Sequence, residues 1–256
     1  MTPRMFCYGA TDAGLHRGNN EDAFLIEENL QAAILADGMG GQNCGEVGSA
    51  ITIQAVAEYL SRPEEGLTTE EAAKEAIREA NRRVIATALE RRECDGMGST
   101  IVMALWQLPE IVIANVGDSR AYLYRAKELR QLSYDQNFAN ELRTKLGFTE
   151  DRVRIMPNRN VLTMAVGSFE HVLVRTHVER LRVGDRILLC SDGLYNPVDH
   201  ATITRIIGEA SSLKQKVERL IARALENGGP DNITAVVLEY GAEGTVSPDE
   251  GGSNHG

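Results

Sequence analysis

Between residues 99 and 132 four short apolar runs (99–105, 111–116, 121–124 and 128–132) follow one another across turns of only a few residues. Links that short leave no room for a crossover helix, so the spacing predicts an antiparallel meander. Further strand-like runs stand at 6–10, 23–27 and 30–36 before it, and at 172–178, 186–190 and 233–240 after it. Helical periodicity predicts helices over 45–61, with Val47, Ile51, Gln54, Ala57 and Leu60 along one stripe, and from Thr68 onward, where Ala73, Ala76, Ile77, Ala80, Val84 and Ala88 recur. Thr68 and Glu71 have the spacing of a capping box at the start of the second. Two more helices are expected at 201–210, capped by Asp199, and at 213–226. Helices arriving in pairs between groups of strands suit a layered α+β fold better than a βαβ winding.

Four aspartates mark the ends of apolar runs: Asp37 after 32–36, Asp118 after 111–116, Asp192 after 187–190, and Asp231 just ahead of 233–238. In an antiparallel sheet the end of one strand lies beside the start of its neighbour, so all four can meet at one edge. Glycine accompanies each, as Asp37-Gly38, Gly117-Asp118, Asp192-Gly193 and Gly228-Gly229 ahead of Asp231. Any single Asp-Gly pair reads as a turn. Four of them, each abutting an apolar run, make a binding site for hard divalent cations the better reading.

A net charge of -10 and a pI near 5.1 argue against nucleic-acid and membrane-surface partners, which demand a basic face. The arginines between Arg78 and Arg92 are interleaved with Glu75, Glu79 and Glu90, as on a solvated, ion-paired helix face. No run approaches the roughly 18 apolar residues of a membrane span. Cys7, Cys44, Cys94 and Cys190 are widely spaced without a C-x-x-C, and no leader-like apolar stretch opens the chain, so a reducing, cytoplasmic setting is expected. Residues 1–241 read as one domain, and 242–256, rich in Gly, Ser, Asp and Glu, as a disordered tail. The stretch 134–168, with a short helix at 138–146 and then irregular sequence around Pro157, is long for a compact domain and reads as functional or mobile.

Familiar phosphate chemistries are missing. No arginine follows a cysteine at the spacing of a cysteine-nucleophile loop, no glycine-lysine pair forms a Walker loop, and the five histidines lack zinc-ligand spacing. Ser99 has no base near it in sequence and reads as structural. An oxygen-rich, histidine-poor set selects Mg²⁺ or Mn²⁺. A water held by such ions ionises readily, and its natural reaction is in-line attack on phosphorus.

Asp12, Arg17 and Asn20-Glu21-Asp22, then Asp37-Gly38-Met39-Gly40-Gly41, Gly98-Ser99-Thr100, Gly117-Asp118-Ser119-Arg120, Ser191-Asp192-Gly193 and Gly229-Pro230-Asp231-Asn232, stand in an order that resembles the motif series of the PP2C or PPM metal-dependent serine/threonine phosphatases of bacterial type. The resemblance spans roughly residues 5–240. It implies a four-layer α/β/β/α sandwich of two antiparallel sheets flanked by pairs of antiparallel helices, with a flap over about 134–168. It further implies that Asp37 bridges two Mn²⁺ or Mg²⁺ ions, that the Gly38 carbonyl holds one, and that Asp192 and Asp231 complete the other's shell. Glu21 would support the pair through water, Asp22 and Asn232 would steady it from behind, and Asp118 with Asp192 would take a third, weaker ion. Arg17 matches the arginine that grips the substrate phosphate, with Asp37 and Arg17 as the catalytic pair.

The implied activity is hydrolysis of phosphoserine and phosphothreonine in proteins, made by a Ser/Thr kinase, through direct attack of a metal-bridging hydroxide and without a phosphoenzyme. The chain is expected to act as a monomer. Two readings stand beside it: a module that keeps the fold only to bind phosphoproteins, and a phosphatase dedicated to one regulatory partner. Two positions depart from the family. Met39 stands where animal members carry a histidine, and Asp135-Gln136-Asn137 stands where many bacterial members read Asp-His-Ser.

Overall fold

The chain is described here by a computed structural model covering residues 2–40, 44–62, 64–156 and 158–242. Its strands form two antiparallel sheets. The first runs β1 (Arg4–Asp12), β11 (Ile233–Gly241), β10 (Arg186–Cys190), β7 (Arg120–Arg125), β8 (Glu128–Gln131). The second runs β2 (Asp22–Glu27), β3 (Ala32–Met39), β5 (Ile101–Gln107), β6 (Glu110–Val116), β9 (Arg175–Arg180), with the short β4 (Gly98–Ser99) pairing the end of β3. The two sheets face one another across Phe24, Leu35, Val102, Ile113, Leu123, Leu189 and Val236. β11 lies between β1 and β10, and all nine of its residues are buried.

The predicted meander therefore exists only as two hairpins in different sheets. β5 and β6 pair in one and β7 and β8 in the other, and the chain crosses between sheets at Gly117-Asp118-Ser119. Gly117 has φ +95°, and a Cβ there would lie 2.8 Å from the Thr100 side chain, so glycine is what allows the crossing. Run spacing reports antiparallel partners but is blind to a change of sheet.

Helices α1 (Gly45–Leu60) and α2 (Thr69–Glu90) cover the second sheet. α2 starts at the Thr68 capping box and buries Ala73, Ala76, Ile77, Ala80 and Val84, as the periodicity predicts. Its outer face carries Arg83 on Glu79 at 2.8 Å and Arg82 on the same carboxylate. α1 buries a different face from the one expected: Gly48, Ser49, Thr52, Ala55 and Val56 turn inward, while Val47, Ile51 and Leu60 pack at the margin. Closeness decides this, because a Cβ on Gly48 would lie 2.6 Å from the Gly98 carbonyl oxygen. Small residues win the inner face even though larger apolar ones compete for it.

Past β8 come α3 (Phe138–Leu146), capped by the Asn137 side chain, and α4 (Glu150–Arg154). The predicted excursion at 134–168 is thus partly helical, and Pro157 lies outside the described residues. A single turn, α5 (Asp192–Tyr195), precedes α6 (His200–Gly208), whose Asp199 cap accepts from the Thr202 amide, and α7 (Leu213–Glu226). α6 and α7 pack on the first sheet and complete four layers. The predicted tail beyond Ala242 also lies outside the described residues.

Two of the widely spaced cysteines nevertheless meet. Cys44, just before α1, is disulfide-bonded to Cys94, fifty residues on, in the single 3₁₀ turn Arg92–Cys94 after α2. Spacing along the chain could not show this pairing, because only the packing of α2 back along α1 brings the two positions together. Cys7 and Cys190 are free thiols.

Candidate metal centre

The second sheet delivers Asp22 and Asp37 side by side, as register partners at the first residue of β2 and near the end of β3. The backbone around Asp37 is pinned on several sides. Its amide donates to Thr100 Oγ1 (3.1 Å), its carbonyl accepts from the Thr100 amide (2.8 Å) and Ser99 Oγ (3.0 Å), and Thr100 Oγ1 in turn meets Ser119 Oγ at 2.7 Å. The Gly38 amide donates to the Glu21 carbonyl at 3.0 Å, and a Cβ on Gly38 would lie 2.0 Å from the Gly45 carbonyl oxygen, so only glycine fits. The Gly38 carbonyl and the Glu21 carboxylate are thereby held beside Asp37.

The first sheet supplies Asp192 and Asp231, just past the end of β10 and just before β11, its neighbour. Asp192 accepts from Asn196 Nδ2 (3.0 Å), and Asp231 accepts from Arg17 Nη2 (2.7 Å). Asp118, at the crossing between sheets, accepts from Asn137 Nδ2 at 3.0 Å. Arg17, Glu21, Asp37, Gly38, Asp118, Asp192, Asp231 and Asn232 line one cavity of about 550 Å³, together with Met39, Val161, Met164 and Phe169. Every expected ligand position opens onto it.

Asp22 lies off the cavity. Its carboxylate accepts from Ser191 Oγ (2.8 Å) and Thr234 Oγ1 (2.6 Å), both on the opposite sheet, and so ties the two sheets together directly behind the centre. Asn232, expected to steady Asp231, has its side chain engaged elsewhere. Its side chain accepts the Glu21 amide (2.8 Å) and donates to the Ala13 and Asn19 carbonyls (2.9 Å each), so it organises the loop that carries Arg17 and Glu21. Only its backbone amide reaches Asp231, at 2.9 Å.

Crowding has an electrostatic signature. Burial, reinforced by Asp192 and Asp231, pushes the Asp22 carboxyl up to about 7. Burial, with Asp192 next, pushes Asp118 up to about 7, and burial with Asp231 pushes Asp192 up to about 6. Asp37 is driven well above the ordinary carboxylate range by burial first, then by Asp22, Asp192, Asp118 and Asp231. Carboxylates that raise one another's pKa ask for a cation. Among the described residues, no three His, Cys, Asp or Glu side chains draw together tightly enough to cage an ion by themselves. Oxygen ligands spaced around a roomy cavity suit hard ions that keep several of their waters, and the residues present fit Mg²⁺ or Mn²⁺ on that ground.

The protein phosphatase 2C family model matches residues 15–236, most of the chain, and takes in all of these positions. The chain belongs to the protein phosphatase 2C family. This phosphatase is 35% identical to the serine/threonine phosphatase Stp of Listeria welshimeri over 235 residues, covering 90% of this chain and 93% of that one. The crystal structure of the Mycobacterium tuberculosis serine/threonine phosphatase PstP superposes with a TM-score of 0.85 at 33% identity, covering 93% of this chain and 99% of that one. The PstP catalytic domain in complex with two manganese ions gives a TM-score of 0.84 at 32% identity, covering 94% and 100%. The phosphatase is an enzyme of this family, and the alternative of a fold retained only for binding is set aside.

Sequence reasoning missed the polar residues that hold the phosphatase's carboxylates in place. Ser191 and Thr234 adjoin recognised motif residues, and that adjacency was the available signal. Arg120, Asp135 and Asn137 stand within segments the sequence had singled out, and Tyr195 gave no signal. Arg120 clasps Asp135 through both nitrogens (2.6 and 3.0 Å) and lies 3.7 Å over the Tyr195 ring, whose hydroxyl donates to the Asp118 carbonyl at 3.0 Å. The departure Asp135-Gln136-Asn137 is thus built into the support of Asp118. Gln136 accepts the Gly117 amide and donates to the Leu173 carbonyl, both at 2.8 Å.

Proposed function

We propose that this phosphatase removes phosphate from phosphoserine and phosphothreonine in proteins, using two Mn²⁺ or Mg²⁺ ions held by Asp37, the Gly38 carbonyl, Asp192 and Asp231, with Glu21 supporting through water and Asp118 offering a third, weaker position. The observation that carries the reading is the convergence of acidic groups from both sheets, with Arg17, on one cavity. When bound, such ions supply Lewis-acid charge and lower the pKa of water enough for attack on phosphorus.

The chain's own groups do the rest. Arg17, half-exposed at the cavity rim, presents a planar fork matched to two phosphoryl oxygens. In the structure that fork rests on Asp231, so a phosphate and a cation arriving together satisfy both partners. Asp22, anchored by Ser191 and Thr234, fixes the separation of the sheets and therefore the span between Asp37 and Asp192. Among the described cavity-lining residues there is no histidine, and Met39 has no proton to give, so the leaving serine or threonine oxygen takes its proton from solvent.

The substrates are phosphoproteins produced by a Ser/Thr kinase, and we place the monomeric enzyme in the cytoplasm, where such kinases find ATP. Among the described residues no helix is long and apolar enough to cross a membrane. Hydrolysis of p-nitrophenyl phosphate and of a phosphothreonine peptide should require Mn²⁺ and stop with EDTA. Anomalous scattering from Mn²⁺-soaked crystals should show two ions in contact with Asp37. Full activity of Asp37→Asn with Mn²⁺, or a trapped covalent phosphoenzyme, would overturn the assignment.

A further inference from the structure

We propose that Cys44 and Cys94 are a thiol–disulfide modification site whose oxidation state sets the ion affinity of the catalytic centre. The inference rests on the reading that Glu21 and Gly38 flank the bound ions.

The argument is one of position. At the end of β3, Gly38 and Met39 pair with Ser99 and Gly98 of β4. Cys44 follows that strand and Cys94 precedes its partner, so the two chain segments are joined by sheet pairing at one end and by sulfur at the other. The two segments are held together at two points while the disulfide stands, and by the strand pairing alone without it.

Cys44 is coupled rigidly to the centre. Its carbonyl accepts the Gly48 amide at 3.0 Å and so belongs to the first turn of α1, although its side chain makes no capping hydrogen bond. The next residue, Gly45, is wedged into the ion-flanking groups: a Cβ there would lie 2.5 Å from the Glu21 carboxyl carbon, and its carbonyl oxygen abuts Gly38. A shift of Cys44 therefore moves the Glu21 carboxylate and the Gly38 backbone. Groups that position metal ligands typically carry about 10- to 100-fold of metal affinity.

Access is local. Both sulfur-bearing residues are buried, but Arg91, Arg92, Glu93, Asp95 and Gly96 around Cys94 are exposed, and a cavity of about 320 Å³ lined by Asp95, Gly96 and Met97 opens beside them. Opening one short turn exposes the bond. The free thiols do not compete: Cys190 is buried and pushed up to about 12, and Cys7 is raised by burial as well. In the cytoplasm a disulfide is characteristically transient or redox-sensing.

The exchange is balanced by an external dithiol. Its thiolate attacks one sulfur, the Cys44–Cys94 bond breaks, and a mixed disulfide forms. The second thiolate then closes the reagent's own disulfide and leaves two protein thiols. Two electrons and two protons pass to the protein, and an oxidised dithiol drives the reverse.

The test compares oxidised protein, protein reduced with dithiothreitol that is then removed by gel filtration, and the double variant Cys44→Ser/Cys94→Ser. Alkylation and peptide mapping should find Cys44 linked to Cys94 in the first and free in the second. Titration calorimetry with Mn²⁺ alone should show affinity about tenfold weaker after reduction, regained on reoxidation and weak in the double variant under both conditions. The Gly38 amide, bonded to the Glu21 carbonyl, should exchange hydrogen faster once the bond is broken. Free thiols in oxidised protein overturn the proposal, as does equal Mn²⁺ affinity in the two states. If neither form binds Mn²⁺ the ion assignment fails by itself, and exchange at Gly38 then decides the coupling: unchanged exchange overturns it.

Discussion

Without ions, the phosphatase should lose stability as pH rises from 6 to 8, and with Mn²⁺ the trend should reverse. Burial in the folded centre pushes Asp22 and Asp118 up to about 7, from the ordinary carboxylate value of 3.8. A carboxyl whose folded pKa is raised binds its proton more tightly in the native state. Its contribution is fully present below the unfolded pKa and is lost as pH climbs through the folded one. The window therefore begins above 3.8 and closes just past 7, and the interval from pH 6 to 8 captures the last part of the loss for these two groups, about a third of it. Each group titrating at about 7 forfeits about 1.4 kcal/mol over that interval. Because the carboxylates share one field, the pair together forfeits about 2–3 kcal/mol, which for a domain of this size lowers Tm by roughly 5–10 °C. Scanning calorimetry in EDTA at the two pH values measures it. Asp118→Asn keeps an oxygen for Asn137 to bond and should flatten the slope by about half. Divalent ions compete with protons for the same oxygens, so with excess Mn²⁺ stability should rise with pH. A metal-free Tm that is flat or rises from pH 6 to 8 would refute the idea that uncompensated carboxylates crowd this centre.

Arg17→Lys should keep the fold and the Mn²⁺ affinity but lower kcat/KM on a phosphopeptide by about 10- to 100-fold, since a charge-assisted pair carries about 1.5–3 kcal/mol; unchanged kinetics would exclude phosphate contact. Thr234→Val removes the 2.6 Å donor to the buried Asp22 carboxylate and should cost about 1–3 kcal/mol in urea denaturation at pH 8. The same cost at pH 4 would show that the hydrogen bond to the charged carboxylate is not its source. Breaking the disulfide releases a 50-residue loop and should cost about 4 kcal/mol of unfolding free energy by the chain-entropy relation, read from denaturation with and without reductant.

Elements whose signals are local were legible in the sequence. The Thr68 capping box opens α2, Asp199 caps α6, and α7 spans Leu213–Glu226 as its periodicity predicts. The acidic positions that line the cavity were legible for a related reason: an acidic residue at a strand end is a local event, and adjacency of strands does the gathering. What escaped were choices made by tertiary contact. The inner face of α1 is set by the approach of Gly48 to the Gly98 carbonyl, the change of sheet at Gly117 by packing against Thr100, and the Cys44–Cys94 bond by the return of α2. The partners of Asn232 belong to the same class, because a side-chain amide can satisfy whichever backbone folding brings near it.

The order of strands has a further consequence. β1, among the first residues of the chain, pairs along its whole length with β11, among the last described, and β11 also carries Thr234 and follows Asp231. The second sheet is complete once Arg180 is made, but the first needs both β1 and β11. A ribosome-bound chain therefore holds an incomplete centre until synthesis has passed residue 241, and the enzyme cannot turn over a phosphoprotein while it is still being made.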